Sequence, residues 1–363
     1  MRLHPQLAKL APAVLVVVWA WSLYRARRWP RAHLVSILAI ALLGVVLAST
    51  AINTANTFGL DYLGRWVPFL ILTVALVDIL AEHVHPQVAI YAAAYGATVT
   101  AVGALFSFIV LGDPRASGPM EDPNDLAYVL AGAVPLLLLG PARSCRRWVA
   151  WSAYVATVLC LAGVAMTVSR GGVLALVVCF VWAMWRRLLR PRTIIAGALI
   201  VATGAVIVVA VAGSTVRTAL SQKMFIGTRN VETRALRWEA ALRQITDHPL
   251  LGVGPGGNRE NYVAYSNFAE ADETSPVTHN MYIEVASEIG LIGFFLFISI
   301  LVIGVMILVR RAGEDRYTAL AAQGSLITLL TASTFLSQQY YTPLWVMVAM
   351  AAALDLRRRR VAR

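Results

Sequence analysis

Residues 278–309 read THNMYIEVASEIGLIGFFLFISILVIGVMILV, where a polar segment of the chain gives way to an apolar one. The polar segment occupies residues 213–277, and the apolar residues that follow are numerous enough for a helix to cross a membrane. The His-Asn pair at the junction is therefore predicted to lie at a membrane boundary. In a helix that starts there, one amide and two carboxylates would share a single stripe, at Asn280, Glu284 and Glu288.

Lipid cannot solvate this polar stripe, so the stripe must face protein or water. Polar groups at such a boundary are candidates for chemistry, and His279 adds an imidazole beside them. A structural interpretation remains open at this point, in which Asn280 caps the helix and the two acids are solvated.

The composition excludes an ordinary soluble domain, because 59% of the residues are hydrophobic and 14% are charged, with a mean hydropathy of +0.69. We predict an all-α fold: a polytopic membrane helical bundle of about 11 (10–12) transmembrane helices with one long periplasmic loop carrying amphipathic helices. The predicted spans lie near residues 7–24, 33–52, 66–81, 88–111, 126–139, 148–167, 171–185, 193–212, 279–309, 317–336 and 342–356. The predicted divisions are residues 1–212 with spans 1–8, residues 213–278 as the loop, and residues 279–363 with spans 9–11 and a basic cytoplasmic tail.

Arginines concentrate in alternate connections between the predicted spans. By the positive-inside rule, the face that carries them is cytoplasmic, which places the N-terminus and the long loop outside. The His-Asn boundary then also lies on the outer side. The arginines in question are Arg25, Arg27, Arg28, Arg31, Arg143, Arg146, Arg147, Arg186, Arg187, Arg190, Arg192, Arg310, Arg311, Arg316, Arg357, Arg358, Arg359, Arg360 and Arg363.

Two further polar motifs are predicted on the outer side. The loop at residues 112–127 reads GDPRASGPMEDPNDLA, and either Asn124 or Asp125 could cap the helix after it. The motif TVSRGG at residues 167–172 joins two spans with almost no loop, so Arg170 must reach the headgroups or point into a cavity. The glycines after Arg170 would let a ligand or a backbone come close.

The long loop contains a predicted amphipathic helix, with a possible cap at Asn230 and with Pro249 beyond its end. Arg234 lies one turn before Trp238, with Arg237 nearby, and these arginines could bind an anion or lipid headgroups. The apolar side of this helix would comprise Leu236, Trp238, Ala241, Leu242 and Ile245.

Several other kinds of site are not indicated. The cysteines Cys145, Cys160 and Cys179 lack metal-ligand spacing, so neither a disulfide framework nor a metal site is predicted. The Gly-rich residues 250–258 do not follow a strand, which disfavours a nucleotide-binding loop. The terminal arginines at 357–360 are typical of a cytoplasmic juxtamembrane cluster, so no nucleic-acid partner is predicted.

Taken together, these motifs resemble the O-antigen ligase and O-antigen polymerase superfamily of bacterial envelope glycosyltransferases. The resemblance covers roughly residues 115–310. It rests on DPNDLA at 122–127, TVSRGG at 167–172, RALRW at 234–238 with DHPLLGVG at 247–254, and HNMYIEVASEIGLIG at 279–293.

The resemblance implies a helical glycosyltransferase of the GT-C type in the bacterial inner membrane, with its active site facing the periplasm or the outside. Its donor would be an undecaprenyl-diphosphate-linked glycan, and it would use neither a metal nor another cofactor. The acceptor would be a lipid or a glycan, and membrane lipids would surround the protein. Members of the superfamily transfer the glycan to lipid A core, to a growing polymer or to protein.

Carried over by position, Arg170 and Arg234 match the functional arginines of the superfamily and His279 matches its functional histidine. Two guanidiniums can stabilise the negative charge that develops on a leaving diphosphate, and an imidazole can accept the proton of the attacking hydroxyl. A single in-line displacement would invert the anomeric configuration. The residues predicted to bind substrate are Arg237, Asn280, Glu284, Glu288, Trp238 and Asn124.

Two sets of alternatives remain. A ligase is our first choice, but a polymerase or a protein O-oligosaccharyltransferase of the same superfamily would differ only in its acceptor. A membrane transporter is the alternative of another class, and it would place an ionisable residue near the middle of the bilayer. Asp78, in the third predicted span, is the main candidate for such a residue.

Overall fold

The computed structural model of the chain describes residues 5–113, 115–120, 122–188, 232–270, 276–309 and 316–361. Every regular element in these ranges is helical, which confirms the all-α prediction. The main helices are α1 Pro5–Ala26, α2 Leu34–Ile52, α3 Gly59–Glu82, α4 Pro86–Ile109, α5 Pro123–Leu139, α6 Arg147–Thr167, α7 Arg170–Trp185, α8 at residues 232–247, α9 Gly257–Tyr265, α10 Met281–Val309, α11 Arg316–Ala332 and α12 Thr342–Val361.

Within the described ranges, 6 helices are long and apolar enough to cross a membrane, namely α2 to α6 and α10. Two further helices, α1 and α7, are apolar but present shorter stretches. The prediction of a membrane-spanning helical bundle is therefore confirmed. The total of about 11 spans stays a prediction, and the predicted span at residues 193–212 lies outside the described residues.

Contacts divide the chain into two compact units. The first comprises Met1–His85, Arg229–Arg310 and Ser333–Arg363, and the second comprises Pro86–Thr228 and Arg311–Ala332. The predicted three-part division of the chain concerns membrane topology, which this grouping does not test, so it stays a prediction.

In the second unit, α5 is the central helix, and it packs against α4, α6, α7 and α11. Small residues allow these helices to approach closely, as is common between membrane helices. A Cβ on Gly132 would lie 2.6 Å from the Leu329 side chain, and a Cβ on Gly163 would lie 2.6 Å from Leu130. Larger residues at these two glycines would therefore force the helices apart.

In the first unit, α3 packs on α12 and α2 packs on α10. Three large aromatic side chains fill its core, and their rings meet edge to face with centroids 6.0–6.4 Å apart, an arrangement that aromatic pairs favour. These side chains are Trp66, Phe297 and Trp345, all fully buried.

Helix α10 is interrupted at Gly290, whose φ of 67° and ψ of −178° are not helical. A Cβ there would lie 2.2 Å from the carbonyl oxygen of Leu250, so only glycine fits. The Gly-rich segment that follows α8 packs at this break: Leu291 N donates to Pro249 O at 2.8 Å and Gly254 N donates to Glu288 O at 2.9 Å. The break therefore anchors the loop that leads into α9.

The buried charge at Asp78 is satisfied within the protein. Its carboxylate accepts two hydrogen bonds from the Arg28 guanidinium, both 2.9 Å long. It also accepts from Trp19 Nε1 at 2.9 Å and from Arg31 N at 3.0 Å. With these four donors, Asp78 forms a structural ion pair with Arg28 and joins α1, the following loop and α3. Its environment therefore does not favour the transporter alternative.

Candidate functional site

His279 lies in a short segment, residues 276–280, that precedes α10 in the first unit. Two consecutive side chains of α8 bind the carbonyls just before it: Arg237 Nη1 donates to Val277 O at 3.3 Å and Trp238 Nε1 donates to Thr278 O at 2.9 Å. His279 itself adopts a left-handed conformation with φ 52°. Such a conformation is uncommon for a residue other than glycine, and surrounding contacts must hold it. Its side chain is half-buried.

Asn280 caps α10. Its Oδ1 accepts hydrogen bonds from Tyr282 N at 3.1 Å and from Ile283 N at 3.2 Å, and α10 begins at the next residue, Met281. This geometry agrees with the structural interpretation of Asn280, because a cap satisfies backbone donors that the first turn leaves open. The cap also fixes the direction in which the chain leaves His279.

A buried hydrogen-bond network includes Thr278, the residue directly before His279. Asn258 Nδ2 donates to Gln244 Oε1 and to Ser287 Oγ, each at 2.9 Å, and Thr278 Oγ1 donates to Asn258 Oδ1 at 2.8 Å. All four side chains are buried. A satisfied network of this kind rigidifies its surroundings. It links α8, α9 and α10 to the residue directly before His279.

The sequence did not predict this network. Gln244 is fully buried, together with Ala240 and Ala241, whereas Leu242 is 53% exposed. The buried side of α8 therefore includes a polar residue that binds Asn258, which hydrophobic periodicity alone does not reveal. A polar Gln within a predicted apolar stripe was the available signal.

Arg237 is neutralised by an acid. Its Nε and Nη2 donate to the two carboxylate oxygens of Glu270, each at 3.3 Å, and only 13% of its side chain is exposed. Glu270 also accepts a hydrogen bond from the hydroxyl of Tyr262. Burial, together with this hydrogen bond, raises the pKa of Tyr262 to about 12. Arg234, one turn earlier on α8, is half-buried and lies on the same side as Trp238.

The two acids of α10 are buried and fasten two loops to the helix. Glu284 accepts hydrogen bonds from Ser337 Oγ and from Gln339 Nε2, the latter at 2.8 Å. Glu288 accepts from Gly256 N at 2.8 Å and from Tyr340 Oη at 3.0 Å. These carboxylates therefore hold the Gly-rich segment and residues 337–340 in place.

Arg170 lies in the second unit, as the first residue of α7. Ser169 caps this helix, since its Oγ accepts from Gly172 N at 3.4 Å. The Arg170 side chain is exposed, and no salt bridge joins it to any acid in the described part of the chain. The glycine pair permits a close approach, because a Cβ on Gly172 would lie 2.8 Å from the Ala127 side chain.

The segment before α7 is held by Arg115, which sequence reasoning did not select. Its Nε donates to Thr167 O at 2.9 Å and its Nη2 donates to Asn124 Oδ1 at 3.2 Å. Burial lowers the pKa of Arg115. Asn124 was expected as a possible cap of α5, with Asp125 as the alternative, and both expectations are wrong: the cap is Asp122, which accepts from Asn124 N at 2.6 Å. Pro123 then occupies the first helical position, where its missing N–H costs nothing.

Each unit thus collects part of the predicted set. The first unit brings His279 and Asn280 together with Arg237 and Trp238, and it also contains Arg234 and the two α10 acids. The second unit contains Arg170 and Asn124. Among the residues that the structure describes, no three His, Cys, Asp or Glu side chains gather as a metal site would require. Independence from metal stays a prediction.

Comparison with known proteins identifies a family to which part of the chain is similar. Residues 155–298 match a protein-family model described as O-Antigen ligase. A search of the curated proteins finds no match. The matched region runs from α6 past the Gly290 break in α10, and it includes the three residues predicted to be catalytic, Arg170, Arg234 and His279.

Proposed function

Since the chain belongs to the O-antigen ligase superfamily, we propose that it transfers a glycan from an undecaprenyl-diphosphate-linked donor to an acceptor hydroxyl. The reaction takes place at the periplasmic face of the bacterial inner membrane. Ligation to lipid A core is the preferred form. Polymerisation and transfer to protein use the same donor and differ in the acceptor.

One observation carries this proposal: the way in which the segment before α10 presents His279. Arg237 and Trp238 bind the two preceding carbonyls, and Asn280 caps the helix that follows. A general base must already be oriented when it accepts the proton of the acceptor hydroxyl, because a small displacement of the base strongly lowers the rate of transfer. The left-handed conformation of His279 is held from both sides, which suits that role.

In the proposed reaction, the oxygen of the acceptor hydroxyl attacks C1 of the donor sugar. The new C1–O bond forms as the bond from C1 to the diphosphate breaks, and the electron pair of the broken bond goes to the diphosphate. The acceptor proton passes to a ring nitrogen of His279 and is later lost to water. One displacement of this kind inverts the configuration at C1.

Arg170 and Arg234 stabilise the negative charge that develops on undecaprenyl diphosphate. A guanidinium presents several donors in a fixed plane that matches phosphate oxygens, and it stays charged at any physiological pH. Arg170 fits this role well because its side chain is exposed at the start of α7. Helix N-termini also favour anions, which adds to the attraction.

The remaining predicted residues bind the substrate or support its binding. Trp238 and Arg237 form the side of α8 next to His279, and Asn280 follows it directly. Asn124 is hydrogen-bonded to Arg115, which holds the end of the segment before Arg170. Glu284 and Glu288 keep the loops around α10 in position.

The test is a transfer assay with the purified chain in detergent, containing EDTA and an undecaprenyl-diphosphate-linked oligosaccharide. Lipid A core, excess donor and acceptor protein are offered separately. We expect undecaprenyl diphosphate to be released together with a newly attached or longer glycan, and the acceptor that works identifies the subtype. Donor binding without release, with every acceptor, would contradict the proposal.

A further inference from the structure

A cleft of about 310 Å³ lies in the first unit, between the C-terminal half of α8 and the end of α9. This volume is at the lower end of the range of small-ligand sites, roughly 300–1,000 Å³. None of the predicted site residues belongs to it. The cleft is lined by Arg243, Thr246, Asp247, Ala264, Tyr265 and Asn267.

One hydrogen bond between α8 and α9 and one ion pair within α8 help to fix the shape of this cleft. Arg243 Nη1 donates to Tyr265 O at 3.0 Å, which satisfies a carbonyl at the end of α9. Arg243 Nη2 donates to Glu239 Oε1 at 2.6 Å. Burial, together with the nearby Asp247 carboxylate, raises the pKa of Tyr265. The walls therefore hold their geometry without a ligand.

The chemistry of the lining suits a neutral polyhydroxylated ligand. Asp247 supplies carboxylate oxygens, Asn267 supplies a carboxamide that both donates and accepts, and Tyr265 supplies a ring and a hydroxyl. The one cation of the lining, Arg243, is already paired with Glu239. A phosphate site needs unpaired positive charge, so this cleft is matched to sugar hydroxyls instead of to a diphosphate.

The residue that follows the lining residue Asn267 carries an exposed aromatic ring. Phe268 directly follows Asn267, and its side chain is 71% exposed. Both residues have left-handed backbone, with φ values of 55° and 60°. For a bulky residue such as Phe this conformation is strained, and strain of this kind concentrates at functional sites. The apolar face of a sugar ring is a partner that would cover such a phenyl group.

The distance along α8 between Arg234 and the cleft sets the minimum length of a ligand that contacts both. Arg243 and Asp247 follow Arg234 by nine and thirteen residues, which correspond to about 14 and 20 Å at the helical rise per residue. A single sugar attached to a diphosphate at Arg234 could not reach the cleft. An oligosaccharide could.

We propose that this cleft is a glycan subsite, which binds a sugar unit several units away from the reacting end of the donor or acceptor glycan. The inference rests on the proposed function. Binding at this distance would make the chain prefer long glycans to short ones without changing the chemical step.

The experiment compares kcat/KM for substrates of different glycan length in the wild type, Asp247→Asn and Phe268→Ala. The donor is purified from membranes of a strain that lacks this chain and is fractionated by glycan length. A second series keeps a single-sugar donor and varies the length of the acceptor glycan. His248→Ala is the matched control, since it alters an exposed residue next to Asp247 that does not line the cleft.

With long glycans, we expect Asp247→Asn to lose about tenfold in kcat/KM, as for one lost hydrogen bond to a charged group. We expect a similar loss for Phe268→Ala, because it removes the apolar surface that the sugar face covers. With single-sugar substrates, we expect no change. The series that shows the loss identifies the glycan as donor or acceptor. An equal loss at every length, or no loss at any length, overturns the proposal. Should a variant fold poorly by its melting temperature, Asn267→Ala replaces it.

A binding measurement separates this proposal from the proposed function. The glycan released from the donor by mild acid is labelled with a fluorophore, and its binding to the purified chain is followed by anisotropy. Weaker binding of the long glycan to Asp247→Asn supports the subsite even where no transfer is detected. Equal binding to the wild type and the variant overturns it even where transfer is robust.

Discussion

The segment around His279 and the segment around Arg170 are built in opposite ways. His279 follows two carbonyls that are bound by Arg237 and Trp238, and a buried network lies behind it. Arg170 begins a helix, and its exposed side chain is joined to no acid in the described part of the chain. The contacts of the first segment restrict the orientation of His279. The second segment presents the positive charge of Arg170, which no acid in the described part of the chain compensates.

The difference agrees with what the two proposed roles require. A proton acceptor works through its position, because transfer depends on hydrogen-bond geometry. A cation that stabilises a leaving diphosphate works through its charge, which a neighbouring carboxylate would cancel. Arg237 illustrates the contrast, since its guanidinium is bound to Glu270 and serves to position the chain. We therefore expect different kinds of loss when each segment is altered.

The largest loss is expected for His279→Ala. Removing a general base lowers the rate by about 10²–10⁴-fold, and the variant should still bind donor because the diphosphate contacts remain. The measurement is single-turnover release of undecaprenyl diphosphate. His248→Ala removes an exposed histidine directly after α8 and should keep wild-type activity. If the two variants transfer at the same rate, His279 is not the base.

A similar but slightly smaller loss is expected for Arg170→Ala, about 10²–10³-fold in kcat, as for other groups that stabilise developing charge. Arg170→Lys should recover little, because a lysine cannot make two parallel contacts to phosphate oxygens. Arg25→Ala, an exposed arginine in the last turn of α1, is the control. Full activity of the Lys variant would show that only charge matters at this position.

Sequence patterns predicted helix positions well where a single physical requirement determines the local structure. Long apolar runs gave α2, α4, α5, α6 and α10 within three residues, because lipid leaves the backbone few alternatives to a helix. Helix α3 begins at Gly59, seven residues before the predicted start of its span at residue 66. The TVSRGG motif correctly placed Arg170 at the junction of α6 and α7, since the sequence left almost no residues for a loop.

Sequence patterns predicted the structure poorly where several residues could meet the same local requirement. Asp122, Asn124 and Asp125 are all good caps, and the choice of Asp122 depends on Pro123 taking the first helical position. The burial of Gln244 depends on Asn258, which is distant in sequence. The roles of Asn280, Glu284 and Glu288 in substrate binding stay predictions, and their contacts show how they support α10.

An intermediate effect is expected for Trp238→Phe, which keeps the ring and removes the donor to Thr278 O. Losing one such hydrogen bond costs about 1 kcal/mol, and the freed carbonyl would let the segment before His279 move. We expect kcat to fall roughly fivefold with an unchanged KM for the donor, since that hydrogen bond positions the base. A rise in KM alone would instead assign Trp238 to donor binding. Kinetics at several donor concentrations distinguish the two.

The smallest effect is expected for Asn124→Ala, which removes the acceptor for Arg115 Nη2. Arg115 still donates to Thr167 O, so the segment before Arg170 is loosened but not released. Because Asn124 acts on the Arg170 segment only through Arg115, we expect a rise of only about threefold in the donor KM, less than for a hydrogen bond made directly to the substrate. Asn124→Asp retains an acceptor and should restore the KM. Asp122→Ala should lower the melting temperature by removing the α5 cap and should also raise the donor KM, because Asp122 Oδ1 accepts from Asn124 Nδ2 at 2.9 Å. If Asn124→Ala lowers the melting temperature without changing the KM, Asn124 stabilises the fold and does not contribute to donor binding. The contrast between a positioned base at His279 and an uncompensated charge in the other segment would then rest on Arg170 alone.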